Sequence, residues 1–521
     1  MPNFGDVTWR AARLYPERTA VVQGGVTLTY GELEGRIQRA ARLLQAAGVG
    51  RGDRVLMLFP NDFRFVEVLL GTLRCGAVAV PANVKLGADT LAYVADHCAP
   101  AVTVAHAEMA EQAHRLSQRG RRCWLVGGEA PWAEPYDLRL DGVAPGFVTA
   151  EAADADPAML MYTSGSTGVP KGCLLTHANQ WWQARSTART MLLDERDRAL
   201  VMGPLYHANA LWACLLPMLL TGGQVCILPG FEPVAVLEAI DRHRPTFTSG
   251  TPSMYALLLA QAEALARCDL SSLKLLMCGS APVSEELMRK IHQHFGCEVV
   301  ETYGLTEGGA NVLTPRWGIK KLGSTGLPVP DVEVRVAGLD DPARECGVGE
   351  VGELWSRSPA NAAGYYRQPE ATAERFTADG WLLTGDLVRR DEQGYIYFCG
   401  RRDDMINCGG ENLYPKEVET LLLAHPAVAD ACVVPAPHAT KGEAPVAWVV
   451  LREGAAAVAE TETKTEMELR EFCLARGPAY AHPRRVFFVE RLPVTGTNKV
   501  DRRALRQETL RLLPGGLRSG G

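Results

Sequence analysis

The sequence predicts an α/β protein with a large N-terminal domain and a small α+β domain at its C-terminus. Strand-like and helix-like segments alternate from the N-terminus to Cys278, which is typical of doubly wound parallel sheets. The chain has 521 residues, too many for one hydrophobic core, so two or more domains are expected. The charged junction Arg401–Asp404 places the boundary, and the predicted domains are residues 1–402 and 403–521.

The N-terminal domain is predicted to contain two doubly wound subdomains. Thr29 and Glu32 have the spacing of a capping box, and the apolar periodicity after them predicts a helix over Tyr30–Ala47. The predicted strands are Thr27–Tyr30, Arg54–Phe59, Gly76–Val80, Ala101–Ala105, Ala199–Pro204, Gln224–Leu228, Thr246–Ser249 and Leu273–Cys278. The other predicted helices are Asp6–Leu14, Phe63–Cys75, Leu91–His97, Ala210–Leu220 and Val234–Arg242.

The pattern changes from Val332 onward. Period-two alternation in Val332–Val336 and Gly352–Trp355 predicts a β-rich subdomain that resembles a small barrel. The C-terminal α+β domain is predicted from the helices Pro415–Ala424 and Glu466–Ala475 and the strands Ala431–Pro435 and Val446–Leu451. Gly454–Lys464 is predicted to be a surface loop, and Pro514–Gly521 a disordered tail.

Composition excludes several classes of protein. The net charge is -6 and there is no long basic block, which argues against nucleic acid as the main partner. None of the 14 cysteines forms a C-x-x-C pair, so neither a zinc site nor a disulfide framework is predicted. The apolar runs are too short for a membrane span, and no secretory signal precedes them. A cytoplasmic location is therefore expected.

One polar stretch, Tyr162–Gly172, follows an apolar run that ends at Met161. Its hydroxyl side chains, glycines and lysine suit a polyphosphate, and we predict that it is a loop. A Walker A loop is excluded because Pro170 precedes Lys171 and Gly172 follows it. The alternative is a flexible linker, although such linkers rarely follow a buried strand.

A second polar stretch, Glu301–Glu307, is predicted to follow a strand, and the carboxyl ends of strands are where open α/β sheets bind ligands. Tyr303 is suited to stacking on a base, Thr306 to bonding a phosphate, and Glu307 to holding Mg²⁺. The alternative is an ordinary polar turn. The small residues Gly279, Ser280, Ala281 and Pro282, also after a strand, would allow a planar ring to approach closely.

Two further signals are weak by themselves. Asp386 in Thr384–Asp386 is placed to bind both hydroxyls of a ribose, but most such aspartates cap a turn. Lys499 stands alone on the turn-rich segment Pro493–Asp501, where the alternative is a solvated lysine.

Taken together, these segments resemble the adenylate-forming superfamily, which includes acyl-CoA synthetases, peptide-synthetase adenylation domains and beetle luciferases. The resemblance rests on five segments in the family's order over nearly the whole chain: Thr163–Gly172, Tyr303–Glu307, Thr384–Asp386, Gly400–Asp403 and Pro493–Lys499. It implies the following nucleotide-binding residues: Thr163, Ser164, Gly165, Ser166, Thr167, Gly168, Lys171, Gly279, Ser280, Ala281, Pro282, Glu301, Thr302, Tyr303, Gly304, Asp386 and Arg401.

The resemblance also implies a two-step reaction. A carboxylate attacks the α-phosphorus of ATP to give an acyl-adenylate and pyrophosphate, and a thiol then displaces AMP. Lys499, Thr306 and Glu307 with its Mg²⁺ are the implied catalytic groups of the first step. The C-terminal domain is implied to rotate about Asp403, so that one site runs both reactions.

The acceptor thiol is predicted from the segment after the hinge. Gly409, Gly410 and Glu411 belong to a motif that resembles the version found in CoA ligases, and no carrier-protein domain follows Lys499. Free CoA is therefore the predicted acceptor, with a separate acyl carrier protein as the alternative. A catalytically dead nucleotide-binding protein is disfavoured, because such a protein would be expected to have lost at least one charged residue of the site. All four are present: Lys171, Glu307, Asp386 and Lys499. A homodimer is retained as a hypothesis.

The acid is predicted only as a class. His207 matches a segment that lines the acyl pocket and gates the carboxylate in relatives, which implies that it is a catalytic residue; the alternative is a hydrogen-bonded histidine at a strand end. Further residues are predicted to line the pocket: Trp212, Ser249, Thr251, Met254 and Cys278. This mixture of apolar and hydroxyl side chains suits a medium-sized or partly polar acid. The arrangement is most similar to carnitine/crotonobetaine-type and general acyl-CoA ligases.

Overall fold

The computed structural model describes residues 2–164, 169–409, 411–452, 459–478, 480–495 and 500–517. The chain divides into two compact units, Met1–Val334 with Trp355–Leu383, and Arg335–Leu354 with Thr384–Gly521. The predicted boundary between residues 402 and 403 lies within the second unit. That residues 403–521 move as a separate domain stays a prediction.

The strands of the first unit alternate with helices, as the sequence predicted. In chain order the strands are β1 (Thr19–Gln23), β2 (Val26–Thr29), β3 (Arg54–Leu58), β4 (Val78–Pro81), β5 (Val102–His106), β6 (Cys123–Val126), β7 (Glu134–Pro135), β8 (Pro157–Ser164), β9 (Pro170–Thr176), β10 (Arg198–Val201), β11 (Gln224–Ile227), β12 (Phe247–Gly250), β13 (Leu275–Gly279), β14 (Glu298–Leu305), β15 (Gly309–Leu313) and β16 (Leu327–Pro328).

Helices cover these strands. They are α1 (Trp9–Leu14), α2 (Tyr30–Ala46), α3 (Arg64–Arg74), α4 (Ala88–Cys98), α5 (Ala110–Ser117), α6 (Tyr136–Asp141), α7 (His177–Met191), α8 (Leu216–Thr221), α9 (Pro233–His243), α10 (Pro252–Leu259), α11 (Ala262–Arg267), α12 (Glu285–Phe295) and α13 (Pro369–Arg375). The predicted capping box at α2 is confirmed, since Thr29 accepts from the Glu32 backbone N–H and Glu32 accepts from that of Thr29. The apolar segment before α8 is a π-helix, Asn209–Leu215.

Within the described residues, these strands form two sheets. One has the order β7-β6-β5-β3-β4-β8-β9, and the other β16-β15-β14-β13-β12-β10-β11-β1-β2. The central strands β10 to β14 run parallel, while the β8–β9 and β14–β15 pairs are antiparallel. The doubly wound fold is therefore confirmed, and each sheet carries an antiparallel edge that the alternation did not predict.

The β-rich subdomain is a four-stranded sheet. Its strands are β17 (Glu333–Ala337), β18 (Gly352–Arg357), β19 (Leu382–Arg390) and β20 (Ile396–Arg401), in that spatial order, with β17 and β20 at the edges. Thr384–Asp386 lies inside β19 rather than after a strand.

The C-terminal part of the second unit is an α+β structure. Its elements are β21 (Ile406–Cys408), β22 (Glu411–Leu413), α14 (Pro415–Leu423), β23 (Val428–His438), β24 (Gly442–Leu451), α15 (Ala459–Arg476), β25 (Arg485–Phe488) and α16 (Arg502–Leu512). The surface loop predicted over Gly454–Lys464 was extended too far towards the C-terminus, because α15 already begins at Ala459. The predicted disordered tail is wrong for residues 514–517, since Leu517 N–H donates to the Pro437 carbonyl at 2.7 Å.

No described helix combines the length and the apolar composition that crossing a membrane requires.

Candidate active site

The predicted phosphate loop is an antiparallel hairpin. Tyr162 pairs with Gly172, Thr163 with Lys171, and Ser164 with Pro170. The strands therefore extend into the stretch predicted to be entirely loop, because backbone pairing needs no apolar side chains. This pairing places Lys171 directly opposite Thr163. Gly165, Ser166, Thr167 and Gly168 lie outside the described residues.

The side chain of Tyr162 connects this hairpin to helix α4. Its hydroxyl lies 2.7 Å from Nδ1 of His97 on α4. A Cβ on Gly172 would lie 3.2 Å from Tyr162 Cζ and 3.0 Å from Leu160 Cδ1, so a larger residue here would require these side chains to shift by a few tenths of an ångström. Burial lowers the pKa of His97, and the nearby Arg367 acts in the same direction.

Glu307 lies at the tight turn between β14 and β15. The turn is closed by the Gly308 N–H, which donates to the Leu305 carbonyl at 3.2 Å, and by a positive φ of 68° at Gly309. Glu307 is 9% exposed, and its Oε1 accepts hydrogen bonds from the hydroxyls of Thr163 at 3.3 Å and Tyr365 at 3.0 Å. The structure thus brings together two side chains from separately predicted motifs, Thr163 and Glu307.

Tyr365 is a contact that sequence reasoning missed. Its ring lies 5.2 Å from the ammonium of Lys171, and its pKa is raised by burial and by the Glu307 carboxylate. No local signal identifies it, because its partner Glu307 is 58 residues earlier in the chain.

The predicted adenine and Mg²⁺ motif is mostly strand. Glu301, Thr302, Tyr303 and Gly304 belong to β14, which continues to Leu305 rather than ending at residue 300. The strand continues because β15 pairs with it, including a Leu305–Gly309 pair. Tyr303 is half-buried, Glu301 is buried, and the half-buried Thr306 accepts at its carbonyl from the Cys173 thiol at 3.5 Å.

Gly279 ends β13 and Ser280, Ala281 and Pro282 follow it, and the close approach of a planar ring to these residues stays a prediction. A Cβ on Gly279 would lie 2.5 Å from Thr302 Cγ2, so this position requires glycine. Ser280 has a φ of +67°, a left-handed conformation that is strained for serine. Ala281 is half-buried and Pro282 is exposed.

Asn209 connects the carboxyl ends of two neighbouring strands near the predicted acyl pocket. Its Oδ1 accepts from the Ser249 hydroxyl at 3.0 Å, and its Nδ2 donates to Ser280 Oγ at 3.3 Å. His207 Nδ1 accepts from the Asn209 backbone N–H at 3.3 Å. His207 and Ser249 are therefore brought into one polar cluster, through an asparagine that the sequence analysis did not single out.

The other predicted pocket residues separate by sheet face. Trp212 packs in one hydrophobic cluster, which also contains the strand residue Met277, whereas Met254 and Cys278 pack in another. Consecutive strand residues such as Met277 and Cys278 point to opposite faces. Cys278 and Met254 therefore do not share the cluster of Trp212. Thr251 caps α10 by accepting from the Met254 N–H at 3.3 Å.

In the second unit, Asp386 and Arg401 are directly paired residues of β19 and β20. Arg401 Nε donates to Asp386 Oδ1 at 2.9 Å, and Asp386 is 7% exposed. Gly385 has a φ of +70°, and its N–H donates to Glu353 at 2.9 Å. The predicted ribose-binding pair is thus assembled by the sheet.

The predicted hinge and catalytic-lysine segments also belong to the second unit. Asp403 is exposed in a short 3-10 helix, Arg402–Asp404. Gly409 and Glu411 lie in the hairpin of β21 and β22, while Gly410 is outside the described residues. Val494 pairs with Val500, and Lys499 is outside the described residues.

Among the described residues, no group of three or more His, Cys, Asp or Glu side chains could hold a metal ion. Nucleotide enzymes commonly hold Mg²⁺ with one or two carboxylates plus substrate phosphates and water. Within the described part of the chain, both hydrogen bonds to the Glu307 carboxylate end on Oε1, which leaves Oε2 for such a cation. The donor set therefore fits Mg²⁺ that arrives with a nucleotide.

Comparison with known proteins gives matches along the chain. The family model of the AMP-binding enzyme matches residues 8–366, and that of the AMP-binding enzyme C-terminal domain matches residues 417–499. The chain is 39% identical to a feruloyl-CoA synthase of an Amycolatopsis species, over 96% of this chain and 98% of the relative. It is 34% identical to a 2-succinylbenzoate–CoA ligase of Geobacillus kaustophilus, over 99% and 98%.

Among solved structures, the anthranilate CoA ligase AuaEII in complex with anthranoyl-AMP superimposes with a TM-score of 0.90 at 26% identity. The similarity covers 97% of each chain.

Proposed function

Because the chain belongs to the AMP-binding enzyme family, in its branch of AMP-forming acyl-CoA ligases, we propose that it activates an aromatic or arylalkenoic acid and transfers it to CoA. The observation that carries the activation step of this proposal is the cluster of Glu307, Thr163 and Lys171. It presents a carboxylate, a hydroxyl and an ammonium within one hairpin-and-turn arrangement, which is the donor set that a metal-bound polyphosphate needs.

In this proposal the hairpin of β8 and β9 holds the β- and γ-phosphates. Lys171 and the residues from Thr163 to Gly168 donate to them, and Thr306 donates to a phosphate oxygen. Tyr303, Gly304 and the close-packed segment from Gly279 to Pro282 hold the adenine. Glu307 would hold Mg²⁺, which when bound neutralises part of the negative charge on the phosphates.

In the first step, a carboxylate oxygen of the acid attacks the α-phosphorus. A P–O bond to the acid forms as the bond to pyrophosphate breaks, and the products are acyl-AMP and pyrophosphate. Negative charge on two anions is brought together, so a cation at the reacting phosphorus lowers the barrier. Lys499 is proposed to supply it, while Asp386 and Arg401 fix the ribose.

In the second step, the thiol of CoA attacks the acyl carbonyl carbon. The C–S bond forms, the C–O bond to AMP breaks, and AMP leaves with the electron pair. Gly409, Gly410 and Glu411 are proposed to border the path of CoA. A change in backbone angles at Asp403 is proposed to switch the enzyme between the two steps.

Two observations support an aromatic acid. The relatives named above act on ferulate, 2-succinylbenzoate and anthranilate. In this chain the buried indole of Trp212, on the π-helix, donates to Gln180 at 3.0 Å, and His207 lies earlier in the chain, just before that π-helix begins. An indole and an imidazole suit the flat face of an aryl ring, and the Asn209 cluster supplies polar groups for a ring substituent.

The test is a pyrophosphate-release screen with ATP, Mg²⁺ and a panel of acids. The panel pairs ferulate, benzoate and anthranilate with aliphatic acids of matched size. We expect the aryl acids to give the largest kcat/KM, and mass spectrometry to detect the matching acyl-CoA after CoA is added. A preference for the aliphatic set would contradict the acid class.

The identity of the thiol is tested separately. Pyrophosphate release without acyl-CoA above background would contradict transfer to CoA. Loading of a phosphopantetheinylated acyl carrier protein under the same conditions would then favour the alternative acceptor.

A further inference from the structure

We infer that Tyr365 is a positioning residue that sets the carboxylate of Glu307 and the ammonium of Lys171 relative to each other before ATP binds. This inference rests on the proposed function, because it assigns Glu307 to Mg²⁺ and Lys171 to the phosphates. It adds a residue from outside the predicted nucleotide motifs.

The backbone of Tyr365 is fixed to the hairpin that carries Lys171. The segment Gly364–Tyr366 lies alongside β9, where Leu174 N–H donates to the Gly364 carbonyl at 2.9 Å and Tyr366 N–H donates to the Gly172 carbonyl at 2.7 Å. Cys173 and Tyr365 form the bridge between these two bonds. Any displacement of β9 is therefore transmitted to Tyr365.

The side chain of Tyr365 reaches from this hairpin to the turn after β14. Its hydroxyl donates to Glu307 Oε1 at 3.0 Å, and the residue is 7% exposed. The backbone of Glu307 is held from the same region, because Ala362 N–H donates to its carbonyl at 2.8 Å. A buried hydrogen bond to a carboxylate restricts its rotation, and here it occupies Oε1.

The ring of the same residue contacts the cation. Lys171 Nζ lies 5.2 Å from the centre of the Tyr365 ring, within the range of a cation–π contact. Phe376 packs on this ring edge-on, with 5.9 Å between the ring centres and an angle of 73° between the planes. Phe376 therefore fixes the orientation of the Tyr365 ring, and a face of that ring contacts Lys171.

The two contacts have different consequences. The hydroxyl acts on the group assigned to Mg²⁺, and the ring acts on the group assigned to phosphate. A residue that only filled space would affect both functions together, or neither. Tyr365→Phe removes the hydroxyl and keeps the ring, whereas Tyr365→Leu removes both, so the two roles can be separated.

The experiment measures ATP binding by calorimetry without acid, so that no turnover occurs, over a series of Mg²⁺ concentrations and in EDTA. For Tyr365→Phe we expect the Mg²⁺ concentration at half-maximal ATP binding to rise about tenfold, with binding in EDTA unchanged. For Tyr365→Leu we expect a further loss of about threefold in ATP affinity in EDTA. Tyr366→Phe, whose ring packs near His97 instead, is the matched control and should resemble wild type.

The outcomes are distinct. Unchanged Mg²⁺ dependence in Tyr365→Phe overturns the inference, and so does an equal loss with and without Mg²⁺, since that indicates a packing role. Thermal unfolding of each variant identifies such a loss of packing. If wild type itself binds ATP without any dependence on Mg²⁺, the proposed function fails rather than the role of Tyr365.

Discussion

Arg401 donates a hydrogen bond of 2.9 Å to Asp386 Oδ1, and the two residues are paired across β19 and β20. The Asp386 side chain is 10% exposed and that of Arg401 is 56% exposed. The carboxylate is therefore fixed in the sheet, while the guanidinium remains accessible. A fixed carboxylate can accept from both hydroxyls of a ribose without losing rotamer entropy on binding.

The first prediction concerns this carboxylate. If Asp386 accepts from the ribose hydroxyls, wild type should prefer ATP over 2′-deoxy-ATP, and Asp386→Ala should remove most of that preference. We expect a loss of about tenfold or more in kcat/KM for ATP and a much smaller loss for the deoxynucleotide. Glu392→Gln, an exposed carboxylate in the β19–β20 turn, is the control. An equal loss for both nucleotides would contradict the ribose role.

The second prediction concerns Lys499. Lys499→Ala should slow adenylate formation by about a hundredfold or more, because the positive charge at the reacting phosphorus is lost. Thioester formation from chemically prepared acyl-AMP should be largely spared. Rapid-quench measurement of the two half-reactions decides this, and a similar loss in both would argue against the assigned role.

The third prediction concerns the hinge. Asp403→Pro locks φ at this position, so only one arrangement of the C-terminal domain should remain accessible. We expect adenylation to continue and thioester formation to fall to near background. Retention of both half-reactions at the wild-type rate would show that the backbone at Asp403 does not need to change. The converse loss would show that proline locks the arrangement for thioester formation instead.

The fourth prediction concerns stability against pH. Nδ1 of the buried His177 accepts a hydrogen bond from the Phe4 N–H at 3.0 Å, and burial lowers the pKa of His177 to about 4. Asp156 opposes this shift and Arg51 adds to it. The unfolded chain, with a His pKa of about 6.5, therefore binds more protons than the folded chain between these values. Stability should fall as pH decreases from about 6.5 towards 4, by at most about 3 kcal/mol.

The measurement is the thermal midpoint as a function of pH. His177→Gln can still accept from Phe4 but cannot take up a proton, so its midpoint should depend less on pH in this range. His294→Gln replaces an exposed ring and should leave the pH dependence unchanged. Identical slopes for His177→Gln and wild type would refute the assignment.

The family and the class of ligase were predictable because they depend on local motifs in a fixed order, and the comparisons confirm both. The helix α2 was predictable because Thr29 and Glu32 cap it through contacts three residues apart. The end of β14 was not, since the polar residues Thr302 and Tyr303 are held in the strand by pairing with β15. The end of such a strand depends on how far the neighbouring strand pairs with it. The sequence of the strand alone therefore does not determine where it ends.

The candidate site likewise combines features that the sequence predicts with contacts that only the structure shows. The sequence identified Thr163 and Glu307 separately, by residue type and by resemblance. It could not show that they share a hydrogen bond, because 144 residues separate them. Asn209 was overlooked because an asparagine beside a predicted pocket carries no distinctive pattern. The sequence could not show that Cys278 packs in a different cluster from Trp212, because strand alternation assigns a residue to a face only when the position of the sheet is known.

The π-helix at Asn209–Leu215 bears on how this enzyme could be redesigned. A residue added or removed in a helix turns everything on one side of it by about 100° relative to the other. Deleting one position between Trp212 and Leu215 would change the angle between Asn209 and the residues after the deletion unless the segment rewinds as an α-helix, and such a change would disturb the contacts of Asn209 with Ser249 and Ser280. Libraries that vary the length of this segment, as well as the residues in it, would therefore reach orientations of the Asn209 cluster that substitutions alone do not reach.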